Sequence, residues 1–381
     1  MKILHFITSL KMGGAETALT NFLTYTLQKL PDRTKHTVIY LYDGPHVKKI
    51  NDLGIPVFQL KGLVHHYDPV AFFRLIRIIK KIKPNVIHTS LWSANIMGRL
   101  AGKILGIPVI SDLHGSAVDE GNFRNRLDAL TAPLAHTIIA VSASVQNAYQ
   151  FAVIPKIIGE KRRELVTQNI CVINNGIDIG RVRDIARQGD KTNTVARSTF
   201  GWTEHDFVIG AVGRLEPIKS YDVLIRAFAL LLKNKNLNKL PKLCLIGDGS
   251  EMHKLKALAL TLGVENNIYF ASSRSDAIKF YPLFDCFALS SKSEGLSIAL
   301  LEALCFGLPI VSTHSGIQHD VITHQVNGLL VPIGDEQALA QALLTLINNK
   351  KLVDSMHAAN LELIKSFDLA QTINAYHKLY R

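Results

Sequence analysis

Cysteine is scarce and scattered: the 381 residues hold four, Cys171, Cys244, Cys286 and Cys305, with no C-x-x-C pair. That excludes a disulfide framework and offers no zinc-ligand spacing, so the four read as small buried apolar residues. Long apolar runs are missing too. None reaches the roughly 18 to 20 residues that span a bilayer. The start, "MKILHFITSL", lacks the basic segment, apolar block and small-residue cleavage site of a signal peptide. The expectation is a protein that stays in the cytoplasm, in solution or on the inner face of the cytoplasmic membrane. Low-complexity tracts, short repeats and the G-x-G-x-x-G fingerprint of dinucleotide binding are also absent.

What is present is a globular composition, 48% hydrophobic and 19% charged, in a length that favours two domains. The net charge of +12 is uneven. Residues 1–190 hold 24 Lys and Arg against 14 Asp and Glu, and residues 191–381 hold 19 against 17, so the excess belongs to the first half. A surface of that sign suits an anionic membrane, a phosphate-bearing ligand or nucleic acid.

Short Val- and Ile-rich runs alternate with helical patterns, which is the signature of βα units around parallel sheets. The strand candidates in the first half span 2–7, 36–42, 57–60, 86–90, 108–113, 137–142 and 170–175; those in the second span 207–215, 242–249, 268–272, 286–291, 309–313 and 328–332. Each half carries enough units for its own doubly wound sheet. The expected division is a first domain over 1–187, a polar linker over 188–199, a second domain over 200–364 and a terminal helix over 365–381. Two such domains facing each other would form an interdomain cleft at the carboxyl ends of their strands.

Several motifs fall at strand ends. Gly13 and Gly14 precede a helical run whose apolar face is Ala18, Leu19, Phe22 and Leu23, and a glycine pair there lets backbone N–H groups approach an anion. A tight turn explains the same residues. In "VGRLEPIKSYDVLIRAF" Arg214 follows a strand and Lys219 precedes a helix, so both can clamp a diphosphate, although a solvated turn fits as well. "LIGDGSE" reads as a turn. In "KSEGLSIALLEALCFGLPIV" a helix is expected from about Leu296 to Phe306. Glu294 and Glu302, eight residues apart, should then point to one side, with the N–H groups of Gly295, Leu296 and Ser297 open at the entrance. A cap and an exposed acid would be the plainer account of that pair.

Together "GGAE" (13–16), "GRLEPIKSYDVLIRAF" (213–228), "IGDGSE" (246–251), "EGLSIALLEALCFGLPIV" (294–311) and "NGLLVPIGD" (327–335) resemble, in this order, the retaining glycosyltransferases of the GT-B fold, family four. The resemblance implies an α/β fold of two Rossmann-like domains. It implies that Arg214 and Lys219 hold the donor's diphosphate, that Glu302 binds the ribose hydroxyls, and that Glu294 faces the transferred sugar near the N–H groups of Gly295 to Ser297. His114 in "SDLHGS" matches the histidine that reaches the donor sugar, and Gly13 and Gly14 match the loop near the donor phosphates and the acceptor. The terminal helix looks like the family's last helix, which returns to the first domain. The chain departs from the pattern at "NNG" (174–176), at Ser272, at Ile317 in place of a glycine and at Asp320 in place of a glutamate. Those differences bear on donor identity more than on reaction type.

The implied reaction moves a hexose or N-acetylhexosamine from a nucleotide diphosphate sugar, by family habit a UDP-sugar, with retention by a front-face route. Arg214 and Lys219 take over the work often done by a metal, and no D-x-D motif stands in a strand-end loop, so neither metal nor other cofactor is expected. The basic, apolar segments 69–84 and 151–166 suggest attachment to an anionic membrane and a lipid-linked or saccharide acceptor; an ordinary helix packed on the sheet explains the first equally well. Alternative readings are an epimerase or phosphorylase of the same fold, or a basic nucleic-acid-binding protein. Neither a pyridoxal phosphate lysine motif nor a nucleic-acid module is found, and no nucleic-acid partner is expected.

Overall fold

The structure, a computed structural model, describes residues 1–30, 34–61, 69–115, 122–153, 160–188, 196–272, 274, 276–315 and 318–381. Ile317, residues 154–159 of the second basic segment and residues 189–195 of the expected linker lie outside the described residues.

Two units share the chain: Met1–Gly176 with Leu369–Arg381, and Ile177–Asp368. In the first, β1 (Lys2–Ser9), β2 (Lys35–Tyr42), β3 (Val57–Gln59), β4 (Val86–Ser90), β5 (Val109–Leu113), β6 (Thr137–Ala140) and β7 (Ile170–Val172) form a parallel sheet ordered β3-β2-β1-β4-β5-β6-β7. In the second, β8 (Asp206–Val212), β9 (Leu240–Ile246), β10 (Ile268–Ala271), β11 (Cys286–Leu289), β12 (Ile310–Thr313) and β13 (Gly328–Val331) form another, ordered β10-β9-β8-β11-β12-β13. Both are Rossmann-like. Every strand read from the sequence is there; the central strands are covered on both faces, with all five residues of β4 and all five of β5 buried, so that their polar residues His88, Thr89, Ser90, Ser111 and Asp112 are buried with the Val and Ile that open them. In each sheet the order reverses once, between β1 and β4 and between β8 and β11, and ligands of open α/β sheets bind at the carboxyl edge of such a reversal.

The first unit ends sooner than the 1–187 expected from the sequence. The helix Ile179–Gln188 belongs to the second unit, since the preceding Ile177 pairs with Asp368 and its N–H donates to Phe367 O at 2.9 Å. The terminal helix Leu369–Tyr380 belongs to the first unit, where Leu369, Ile373, Tyr376 and Tyr380 pack with Phe22 and Leu23 on one face of the sheet. On the other face lies the helix Pro69–Ile82. Its apolar stripe of Ala71, Leu75 and Ile79 is spent on the sheet, and Phe73, Arg74, Arg77, Lys80 and Lys81 face outward. That segment is therefore a sheet-packing helix with a cationic outer face.

One buried ion pair ties the helices of the first unit together. Arg99 is fully buried; its guanidinium donates to Asp128 Oδ1 at 2.8 Å and to Ser111 Oγ at 3.1 Å, and the Tyr149 hydroxyl donates to the same aspartate. A buried carboxylate left without that partner would be strongly destabilising.

Candidate functional site

At the β8/β11 reversal two loops meet. The first runs from Gly213 through the 3-10 turn Pro217–Lys219 to the helix Tyr221–Leu232, and the second spans Ser290–Ser297. They are stitched together: Lys292 N–H donates to Ile218 O at 2.8 Å, backbone to backbone, and the Ser290 hydroxyl donates to Lys219 O at 2.9 Å. This is why "CFALSS" leaves the sheet at Leu289 and its two serines turn toward the loops. Behind them sits the Gly-Asp-Gly turn. Gly213 N–H donates to Ile246 O at 3.0 Å and Leu215 N–H to Asp248 O at 2.9 Å. A Cβ on Gly247 would lie 1.8 Å from Gly213 O, and one on Gly249 2.4 Å from Leu215 O. "LIGDGSE" is thus the close-packed support of the Arg214 loop as well as a turn.

Lys219 and Glu294 are brought together by this arrangement. The ammonium donates to Glu294 Oε1, and Ser291 Oγ donates to the same oxygen at 2.8 Å. The carboxylate is nearly buried, with 8% of its side chain exposed. Arg214 stands exposed on the first loop and makes no side-chain ion pair among the described residues. One cation is therefore held in place by a carboxylate, and the other is available to an anion.

Glu302 lies on the helix Ile298–Cys305, partly buried. The fully buried Tyr281, stacked on Phe306 and Phe287, donates to Glu302 Oε2 at 2.6 Å. Burial pushes the Glu302 carboxyl up to about 7 against that hydrogen bond, which pulls it down. The helix starts two residues later than expected. Ser297 is its N-cap, accepting from Leu300 N–H at 3.4 Å, so Gly295 and Leu296 belong to the loop. Glu294 and Glu302 are accordingly not related by helical turns; each is placed by its own tertiary partners.

In the first unit, Gly13 is the N-cap of the helix Gly14–Lys29. Beside it Glu16, 7% exposed, folds back and accepts from Ser9 Oγ at 2.5 Å. A Cβ on Gly13 would lie 2.3 Å from Glu16 Oε2, so the glycine makes room for a carboxylate that meets the helix's positive end. His114 follows β5, with 10% of its side chain exposed and Nε2 3.6 Å from Asp112 Oδ2.

Glu16, Asp112, Tyr281 and Ser291 were not singled out from the sequence. Glu16 is the last letter of "GGAE", and Asp112 stands in β5 two residues before His114, so both carried a local signal. Tyr281 carried none.

The glycosyltransferase family 4 profile matches residues 12–181, and the glycosyl transferases group 1 profile matches residues 193–362. The chain is 24% identical over 321 residues to UDP-Gal:alpha-D-GlcNAc-diphosphoundecaprenol alpha-1,3-galactosyltransferase of Escherichia coli, covering 82% of this chain and 79% of that one. It is 26% identical over 313 residues to D-inositol 3-phosphate glycosyltransferase of Corynebacterium glutamicum, covering 79% and 73%. Among solved structures, Anabaena HepE in complex with UDP-glucose superposes with a TM-score of 0.82 at 24% identity, covering 100% of this chain and 99% of that chain. The two profiles fall one on each half of the chain, and the chain belongs to the family 4 glycosyltransferases of the GT-B fold.

Proposed function

We propose that this glycosyltransferase takes a hexose or N-acetylhexosamine from a UDP-sugar and transfers it, with retention and without a metal, to a lipid-linked or saccharide acceptor. The observation that carries the reading is the Lys219–Glu294 pair at the β8/β11 reversal, with Glu302 on the helix that follows. Ribose hydroxyls donate to Glu302, and Arg214 and Lys219 meet the diphosphate. As the bond from the anomeric carbon to the phosphate oxygen breaks, the phosphate leaves with the electron pair and negative charge grows on it. Fixed cations stabilise that state more than the ground state. The acceptor oxygen bonds to the same face of the carbon and its proton passes to the departing phosphate. Glu294, neutralised by Lys219, faces the sugar.

Donor identity is read by thermal shift with UDP- and GDP-sugars against wild type, Glu302→Ala and Arg214→Ala. At 100 times Kd a donor stabilises by about 2.7 kcal/mol. The UDP-sugar shift should be present in wild type and lost in both variants; a shift that survives both rejects the pocket.

A lipid-linked acceptor is supported by the basic first half and by what the Escherichia coli relative's name says that it glycosylates. Among the described residues no helix is long and apolar enough to cross a membrane. Attachment would be peripheral, through the segment 151–166, where Phe151 is 65% exposed, aided by the cationic face of Pro69–Ile82. Flotation with phosphatidylglycerol vesicles should weaken about tenfold in high salt and on replacing Lys161, Arg162 and Arg163 with Glu. Flotation unchanged by both would sink the attachment.

A further inference from the structure

Tyr281, on the 3-10 run Ala277–Leu283 just ahead of β11, is a fully buried phenol in the second unit to which the proposed reaction gives no role. Its ring stacks on those of Phe287 and Phe306, with centroids 5.6 Å apart in each pair and planes at 25° and 7°, and Phe284 stands 5.7 Å away. Phe287 belongs to β11, and Phe306 is the C-cap of the helix that carries Glu302, so the phenol is fixed to both elements. A rigid ring packed on three others leaves its oxygen one place.

That oxygen lies 2.6 Å from Glu302 Oε2 and 3.2 Å from Ala299 O on the same helix. A hydroxyl has one proton, and the shorter contact, to the carboxylate, takes it. The other carboxylate oxygen, Oε1, accepts from no group among the described residues and is not closed off from solvent. The acid therefore has one oxygen committed to the protein and one left over. Burial raises this carboxyl and the Tyr281 hydrogen bond lowers it, which leaves it at about 7. Its titratable surroundings are neutral: Cys305 on the same helix is a thiol pushed up to about 12 by burial and then by Glu302, and Tyr221, behind Tyr281, is a buried phenol raised in the same way. Arg183, Asp178 and Asp368 act on the Cys305 thiol, and none of them sets the Glu302 value.

We propose that Tyr281 is a positioning residue for donor binding: by taking Oε2 it turns Glu302 so that Oε1 accepts the ribose hydroxyls of the donor. The proposal rests on the reading that Glu302 holds the ribose. The same hydrogen bond favours the ionised acid, the form whose oxygens are acceptors only and so suit a sugar hydroxyl. Donor affinity should then follow the protonation of Glu302, and Tyr281 should act on affinity through that acid alone.

The test titrates UDP-glucose, whose diphosphate keeps its charge across the range, into wild type, Tyr281→Phe, Glu302→Gln and the Tyr281→Phe/Glu302→Gln double variant at about pH 6, 7 and 8.5 by calorimetry. Wild type should bind about tenfold more weakly at the lowest pH than at the highest. Tyr281→Phe keeps the ring stack, removes the donor and moves the carboxyl up by about one unit. Its affinity should fall about tenfold at the lowest pH and less than about twofold at the highest, with kcat at saturating donor unchanged. In the Glu302→Gln background, where no carboxyl titrates, the same change should have one small effect at every pH. A 3-fluorotyrosine at position 281, a stronger donor on the same ring, should tighten binding at the lowest pH, and serves as the test if Tyr281→Phe does not fold. A Tyr281→Phe loss equal at every pH, no loss at all, or the same pH-dependent loss in the glutamine background overturns the proposal. So does a fluorinated ring that leaves the low-pH affinity unchanged. Failure of the reading beneath it shows separately, as a wild type that binds no UDP-glucose or a Glu302→Gln variant that binds it as tightly as wild type.

Discussion

Glu302→Gln is expected to weaken UDP-sugar binding about 100-fold while raising the melting temperature at pH 8. Both effects come from one carboxyl. Burial pushes it from 4.5 up to about 7, even though Tyr281 donates to it. Between those two values the folded protein holds a proton that the unfolded chain has lost. The group's contribution is therefore fully present below pH 4.5 and is lost as pH rises through 7. Above pH 7 the ionised acid costs at most ~3 kcal/mol, and its partial exposure reduces that to about 1–2 kcal/mol. Glutamine keeps the shape without the charge. The expected gain is about 3–6 °C at pH 8 and close to nothing at pH 4.5. Donor binding moves the other way, since each ribose hydroxyl on a carboxylate is worth roughly 1.5–3 kcal/mol and an amide oxygen replaces it poorly. Melting curves at both pH values, with and without UDP-sugar, decide it: a wild-type donor shift, or no gain at pH 8, refutes the assignment.

The first unit should respond to pH with the opposite sign, losing about 6 kcal/mol between pH 6.5 and 4, an amount comparable to the whole stability of a domain. Burial, reinforced by His377 and His88, pushes His36 down to about 4; burial, with Lys49 adding to it, does the same to His46; burial and the neighbouring His36 and His88 lower His5 well below 6.5. The hydrogen bonds explain why these rings stay neutral. His5 Nε2 and His36 Nδ1 face each other at 2.9 Å, where only one proton fits, and His36 Nε2 lies 2.7 Å from Thr34 Oγ1. His46 Nδ1 lies 2.8 Å from Thr20 Oγ1. The unfolded chain binds protons at these rings from 6.5 downward, whereas the folded unit refuses them until about 4. Stability is full above 6.5 and lost as pH falls through that window, at ~3 kcal/mol for each of His36 and His46. Urea midpoints at pH 7, 5.5 and 4.5 read this directly. His36→Gln should flatten the dependence by one histidine's share. A midpoint constant from pH 7 to 4.5 would show that the rings titrate alike folded and unfolded.

The sequence by itself determined the strands, the two sheets and the loops where the chemistry gathers. Buried parallel strands require runs of Val, Ile and Leu, and glycines are needed where backbones touch, as at Gly247 and Gly249. These are local demands, so a local pattern records them. Lys219, Glu294 and His114 were legible as candidates for the same reason, each standing in a loop just beyond a strand, and Glu302 was legible as the acid in the helix that follows. What the tertiary structure alone decided is which side chains meet. Lys219 finds Glu294 from 75 residues away because β8 and β11 are neighbours at the sheet's reversal. Tyr281 reaches Glu302 from a segment with no motif, and Asp112 of β5 meets His88 of β4 and Tyr376 of the terminal helix at once. The same holds for the helix Ile179–Gln188, which joins the second unit through the pairing of Ile177 with Asp368. It holds for Pro69–Ile82, whose apolar stripe a sheet or a membrane would accept and which the sheet takes. Periodicity states that a face must be covered and a strand end must turn. Only the order of strands in the folded sheets determines what does the covering, and which charges are left to face a ligand.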